Sequence, residues 1–481
     1  MFLVEIYFKS VIVYYKTKNI ATIKTGVFFK MSKIKRIGVL TSGGDCAGLN
    51  AVISAVVASA EKKGWEVYGI HDGTEGITDK EHRYEVLTTK NFCDMPWPRL
   101  SGSYLGSLNK GLRVESLEEV SKRFSQGVKD LGLDAIVVIG GDGSMNIVSN
   151  MSKNSLAKIV GIPKTIDNDT PITEFSVGFQ TATQFCTTSI DSLELTARSH
   201  NRAIIVEVMG RDAGHLALHS ALAGNADVCL IPEIPYTLDG IINKLKEIKA
   251  RGRNHAIIVV SESIKTENGG VVTSNKNNVG EAIYGGIGQY LCSEIAKRYN
   301  DFQFRVTTLG HLQRSGVPVA FDRMLAAVFG AKAVELLANG EDNKMVIWKD
   351  GKVDAVSLSD VVKAGTTLVD TKGKYVRAID FRKRNQDLIQ KGKFNLLKTG
   401  NDKVFAYSIV DKDRELIVIG SLDEKENQKA SVKSKYLEKE NLFSLITTKR
   451  HPQLNQDMIE VSLEPLELQV YMISLVSSRA I

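Results

Sequence analysis

Three short segments concentrate residues that could do chemistry, and each follows an apolar run. Thr41-Ser-Gly-Gly-Asp-Cys-Ala-Gly-Leu-Asn50 pairs glycines ahead of a helical pattern. Backbone N–H groups and a helix N-terminus could there meet an anion. It holds neither a Gly-Lys-Ser/Thr phosphate loop nor a G-x-G-x-x-G pattern, and a tight turn is an equal alternative. Ile139-Gly-Gly-Asp-Gly-Ser144 sets Asp142 between glycines. A polyphosphate could lie along Gly141, Gly143 and Ser144 while the carboxylate holds Mg2+, directly or through water. A structural turn is the plainer alternative. Ile162-Pro-Lys-Thr-Ile-Asp-Asn-Asp169 gathers Lys164, Thr165, Asp167 and Asp169 at one strand end. The two aspartates could share a metal, or one could accept a proton. A solvated acidic turn is the alternative, and a lysine in an otherwise apolar strand end counts against it.

Arginines and one histidine follow: Arg198-Ser-His-Asn-Arg202, Met209-Gly-Arg211, and Arg305 to Arg314 with His311, together with Ser261-Glu262. Such groups at strand ends are the usual receptors for a substrate phosphate. A lone arginine is ordinarily a surface residue, but several on one scaffold with two phosphate-compatible loops are poorly explained as surface decoration.

The elements that must hold these groups are legible as apolar runs. Ile37–Leu40, Ala135–Ile139, Ile159–Ile162, Ala203–Val208, Val228–Ile231 and Ala256–Val260 are continuous rather than alternating. Continuous runs suit strands buried on both faces. Helical stretches such as Asn50–Lys62 and Gly240–Lys249 alternate with them, which predicts βαβ units, parallel sheets and ligands at the strands' carboxyl ends.

Five segments, in this order and spacing, resemble the signatures of the 6-phosphofructokinase family. They are Ser42-Gly-Gly-Asp, Gly140-Gly-Asp-Gly-Ser, Pro163-Lys-Thr-Ile-Asp-Asn-Asp, Val206-Glu-Val-Met-Gly-Arg and Leu309-Gly-His-Leu-Gln-Arg. The resemblance covers residues 34–385 and implies two Rossmann-like α/β lobes with mostly parallel sheets flanked by helices. It implies that Asp167 takes the proton from the 1-hydroxyl of fructose 6-phosphate, and that Thr165 and Arg211 steady the transferred phosphoryl group. Asp142 corresponds to the Mg2+-associated aspartate, and Gly44, Gly141, Gly143, Ser144 and Lys164 belong to the phosphoryl-donor site. Thr165, Ile166, Asp167, Met209, Gly210, Arg211 and Glu262 would line the sugar. His311 and Arg314 would hold the 6-phosphate, with Arg202 and Arg305 reaching it from a neighbouring subunit of a homodimer or homotetramer.

Three positions depart from the bacterial ATP-dependent pattern. Asn109 stands where that pattern has a donor-binding arginine, so Lys110 or Arg113 would have to substitute. Ser54 and Ala58 replace two arginines of the nucleotide-effector site, so allostery of that form is expected to be absent. Gly143 leaves room for the α-phosphate of ATP, whereas Lys164 supplies charge suited to pyrophosphate; the pair is similar to the family's mixed-substrate subgroup. ATP is the expected donor and pyrophosphate the alternative. An NAD or lipid kinase would share only the Gly140–Gly143 signal. A non-catalytic family member is the remaining alternative, and Asp142, Asp167 and Arg211 count against it.

The chain has 481 residues, 43% of them hydrophobic and 24% charged, which suits a globular protein of more than one domain. Its net charge of +7 suggests a polyanion partner until it is located. Residues 31–381 hold 40 basic and 40 acidic side chains, so the excess belongs to the ends. No nucleic-acid or membrane partner is expected. Five widely spaced cysteines without a C-x-x-C pair predict thiols in a reducing cytoplasm. Residues 1–30 are expected to be either a loose N-terminal extension or an upstream misread of the start, with an independent start at Met31. Residues 31–385 are expected to form a catalytic core of two α/β lobes. Residues 386–481 form a C-terminal extension of unknown function, with one hairpin expected at Val404–Val410 and Glu415–Ile419.

Overall fold

Each of the six apolar runs lies in a strand, and together they build two parallel sheets. A computed structural model of the chain describes residues 34–107, 117–151, 156–276 and 282–371. Beyond these it describes 388, 391–412, 414–423, 426–434, 437, 442–446, 452–455, 457–463 and 468–474. Residues 1–30 lie outside the described residues.

The first lobe runs β1 (Arg36–Thr41), α1 (Leu49–Glu61), β2 (Glu66–Ile70), β3 (Tyr84–Leu87), α2 (Leu117–Asp130), β4 (Ala135–Gly140), α3 (Asp142–Met151) and β5 (Lys158–Thr165). The long α4 (Phe179–His200) leads to the second lobe. There follow β6 (Arg202–Val208), α5 (His215–Ala223), β7 (Val228–Leu230), α6 (Leu238–Ala250), β8 (Ala256–Ser261), α7 (Ile287–Arg298) and β9 (Gln303–Thr308). Through α8 (Ala320–Ala338) the chain returns to the first sheet with β10 (Lys344–Lys349) and β11 (Lys352–Ser357), then α9 (Leu358–Ala364).

The first sheet has the order β11-β10-β5-β4-β1-β2-β3, with antiparallel strands only at its two edges. A two-residue strand, Val177–Gly178, also pairs with β5. The second sheet, β9-β6-β8-β7, is wholly parallel. β4 and β8 are buried at every position, as strands covered by helices on both faces must be. α1 and α6 each bury one stripe, in α6 Leu238, Ile241, Ile242, Leu245 and Ile248, at the spacing of a single helical face.

Strand order reverses direction at β1, which lies between β4 and β2, and at β6, which lies between β9 and β8. Open α/β sheets bind ligands outside the carboxyl ends of strands at such points. The segments singled out by residue type sit there: 42–48 after β1, 141–144 after β4, 209–211 after β6 and 309–314 after β9.

The C-terminal part folds as two antiparallel sheets. β12 (Lys393–Leu396), β13 (Val404–Val410), β14 (Arg414–Ser421), β15 (Gln428–Lys433), β16 (Leu442–Ile446), β17 (Gln453–Asn455), β18 (Met458–Leu463) and β19 (Leu468–Ser474) supply the strands. The five-stranded sheet β12-β13-β14-β19-β16 and the three-stranded sheet β15-β18-β17 share one interior, which includes Ala406, Ile417, Val432, Ile459, Val461 and Tyr471. The expected hairpin is β13–β14, paired from Val404 with Ser421 to Val410 with Glu415. Among the described residues no helix is long and apolar enough to cross a membrane.

Candidate active site

Short backbone links bring the loops into register. The Ser42 N–H donates to the Ile139 carbonyl at 2.9 Å, joining the segments after β1 and β4. The Thr41 and Ser103 hydroxyls share a hydrogen bond of 2.7 Å, and the Ser107 hydroxyl donates to the Gly43 carbonyl. These two contacts anchor Gly102–Ser107 beside the first loop, just before Asn109, Lys110 and Arg113, which lie outside the described residues.

Lys164, at the end of β5, is only 3% exposed and donates from Nζ to the Gly44 carbonyl at 2.5 Å. Burial lowers its pKa, and nearby Arg314 adds to the effect. Arg314 arrives from the second lobe: its Nη1 donates to the Asp45 carbonyl at 2.9 Å and lies against the Gly44 backbone. A methyl group at position 44 would stand 2.6 Å from that nitrogen, so only glycine allows the guanidinium to lie there. Gly143 differs, since a Cβ there would meet no neighbouring atom within 4 Å.

Three carboxylates of the first lobe crowd one another. Burial raises the pKa of Asp167, while Arg314, Lys164 and the Arg211 backbone N–H, which donates to its carboxylate, oppose the rise. Asp169 is pushed up to about 7 by burial and then by the charges of Asp167 and Asp142. Glu262, after β8, is pushed up to about 7 by burial and by Asp167. The Thr165 hydroxyl accepts the Asp167 N–H at 3.1 Å, closing the turn through Ile166. Asn168, at φ 51°, steadies the same turn, its Oδ1 accepting the Ser176 N–H at 2.9 Å.

A cation would relieve the crowding of Asp142 and Asp169. Among the described residues no group of three His, Cys, Asp or Glu side chains could hold an ion by itself. Two neighbouring carboxylates fit Mg2+, which keeps waters and is ordinarily held by one or two carboxylates plus substrate phosphates.

Two residues of the second lobe escape a reading by residue type alone. Gln313, 1% exposed, accepts the Met209 N–H at 3.1 Å and donates to the Gly310 carbonyl at 2.9 Å. It thereby fixes Met209–Arg211 against the turn carrying His311 and Arg314. Glu207, also buried, accepts the N–H groups of Gly286 and Gly288 at 3.0 and 2.8 Å, at the start of α7. For Glu207 the available signal is a long acidic side chain inside an apolar run; Gln313 lies within a motif already singled out, and nothing local marks it as buried.

Arg202 and Arg305 do not join this cluster. Arg202 opens β6 and Arg305 is third in β9, whereas the site lies beyond the other ends of both strands. At about 3.3 Å per residue, Arg202 stands about 23 Å along the strand from Met209. Its Nε donates to Gln303 at 2.8 Å, and Arg305 is exposed.

The phosphofructokinase family model matches residues 36–337, which carry both switch points and the whole cluster. The chain belongs to the phosphofructokinase family. It is 44% identical over 345 residues to a protein of Synechocystis named ATP-dependent 6-phosphofructokinase 1, covering 70% of this chain and 94% of that protein. A Chloroflexus aggregans protein named ATP-dependent 6-phosphofructokinase is 43% identical, over 68% of this chain and 91% of its own length. Among solved structures, Pichia pastoris phosphofructokinase in the T-state superposes with a TM-score of 0.60 at 28% identity, covering 76% of this chain and 40% of that one. A pyrophosphate-dependent phosphofructokinase from Marinobacter aquaeolei reaches a TM-score of 0.59 at 22% identity, over 71% of this chain and 88% of its own, a likeness of fold alone.

Proposed function

We propose that this chain is an ATP-dependent 6-phosphofructokinase, transferring a phosphoryl group to the 1-hydroxyl of fructose 6-phosphate. The carrying observation is the cluster itself: a carboxylate base, Asp167, is acted on by Lys164, Arg314 and the Arg211 N–H, and both cations are bonded to the glycine loop after β1 at a sheet reversal. Residues 31–385 form the catalytic part, and 386–481 are an extension to it.

Phosphoryl transfer needs little covalent help, so positioning and charge stabilisation dominate. Gly44 and Gly141–Ser144 receive the donor phosphates, while Thr165 and Arg211 steady the group in flight. Met209, Gly210 and Glu262 grip the sugar, and His311 and Arg314 its phosphate. Asp142, with Asp169 beside it, would hold Mg2+, which when bound neutralises charge on the donor phosphates. Asp167 needs only reach and orientation, because the hydroxyl loses its proton late in a loose transition state.

ATP is favoured over pyrophosphate by two features. The space beside Gly143 is open, and the Lys164 ammonium already gives one of its three N–H donors to the Gly44 carbonyl, leaving less of it for a small anion. The relatives at 43 and 44% identity carry ATP in their names. Assays with fructose 6-phosphate and each donor should show turnover with ATP and at most a few per cent of it with pyrophosphate, on the order of a hundredfold preference. A preference for pyrophosphate overturns the choice of donor, and no turnover with either overturns the reading.

Arg202, at the far end of β6, and Arg305, exposed in the first half of β9, serve a neighbouring subunit in a homodimer or homotetramer. Active enzyme should therefore sediment as an oligomer; fully active monomers would remove this part of the proposal.

The pH profile follows from Glu262. Its carboxyl, held up to about 7, is protonated below that pH and loses its charge as an acceptor for sugar hydroxyls. kcat/KM for fructose 6-phosphate should therefore fall as pH drops below about 7. Glu262→Gln, neutral at every pH, should lower activity and make that limb shallower, leaving the part due to Asp169, whose carboxyl is also held up to about 7, whereas an unchanged limb would assign it wholly to Asp169 or another group.

A further inference from the structure

Beyond α9, and outside the family-matched residues, Gly365–Asp370 crosses between the lobes. On the first-lobe side, the Thr366 hydroxyl donates to Asp142 Oδ2 at 3.3 Å, and the Thr367 N–H donates to the Asp169 carbonyl at 2.8 Å. On the second-lobe side, the Thr367 carbonyl lies 3.1 Å from His215 Nε2, at the start of α5. The Val369 N–H donates to Glu233 Oε1 at 2.9 Å, and the same oxygen accepts the Gly214 N–H at 2.9 Å. Val369 is 6% exposed and packs in the core cluster that runs through both lobes. A surface connection ordinarily gives its backbone groups to water. Here Thr366–Val369 makes four bonds to protein, two to each lobe.

The geometry points to Gly365–Val369 as a strap that ties the lobes together across the site, with Thr366 positioning the Asp142 carboxylate for the donor's cation. The second part rests on the phosphofructokinase reading above. Asp142 Oδ1 already accepts the Gly143 N–H at 2.6 Å. With Thr366 on Oδ2, both oxygens are oriented before any ligand arrives, and preorganisation of this kind favours binding by lowering its ordering cost. Thr366 touches no reacting atom in this scheme and acts only through Asp142.

Two measurements on the full-length chain test it. In hydrogen–deuterium exchange without ligand, the Thr367 and Val369 amides should exchange at least about tenfold more slowly than unstructured peptide. Exchange at the rate of unstructured peptide overturns the strap. Binding of Mn2+–ATP, followed by water proton relaxation, should weaken about fivefold in Thr366→Val and recover in Thr366→Ser, with fructose 6-phosphate binding unchanged in both. Wild-type affinity in Thr366→Val overturns the positioning role. If the wild-type chain binds no Mn2+–ATP, the ATP-dependent reading and the role of Thr366 both fall, while the exchange rates still decide the strap.

Discussion

Asp167→Ala should lower turnover about 10³- to 10⁴-fold while the affinity for fructose 6-phosphate stays within about threefold. The carboxylate's one structural duty is to accept the Arg211 N–H; Lys164 and Arg314, which also act on it, face the proposed substrates. Removing it leaves Lys164 and Arg314 facing each other without an intervening charge. Asp167→Asn should be measured beside it, with melting temperatures, because the amide keeps the shape and the Arg211 contact. Turnover near wild type in either variant would sink Asp167 as the base. Equal loss of affinity and turnover would instead make it a binding group.

The second large effect is expected at Gly143. A Cβ at position 143 meets no neighbouring atom within 4 Å, so Gly143→Asp should fold, with a melting temperature close to wild type. The space it enters is the one proposed for the donor's inner phosphates, and its charge would repel them beside Asp142. ATP-dependent turnover should fall at least about a hundredfold. Pyrophosphate, which has nothing beyond its two phosphates to accommodate, should suffer less. A Gly143→Asp enzyme that uses ATP normally would place the nucleotide elsewhere.

The strands that carry these residues were legible because parallel strands buried on both faces have unmistakable composition, as Ala-Ile-Val-Val-Ile-Gly in β4 does. β9 was not legible. It is an edge strand, half exposed, and its Gln303, Arg305, Thr307 and Thr308 resemble a polar loop. The antiparallel edges β3 and β11 escaped for the same reason. At the site, residue types marked the loops at the sheet reversals, since glycines and charges stand out against apolar runs. What sequence could not supply was pairing across distance. Nothing local says that Arg314 reaches the loop of Asp45, 269 residues away, or that Lys164 turns to Gly44. Gln313 lay inside a recognised motif, yet its burial against Met209 depends on how β6 and β9 are paired. The C-terminal part gave up one hairpin from its turn, but its second sheet is made of short alternating strands with no partner predictable from proximity.

Among the described residues, the interior shared by those two C-terminal sheets contains no buried residue of the catalytic lobes: the lobes' clusters end at Val369, and the sandwich's clusters begin at Leu388. Two cores without common members need not melt together. Heating this protein should give two calorimetric transitions, so one midpoint or one unfolding free energy would describe neither part. Damage to the sandwich could then leave the kinase folded, and a thermal shift induced by nucleotide should move only one of the two peaks.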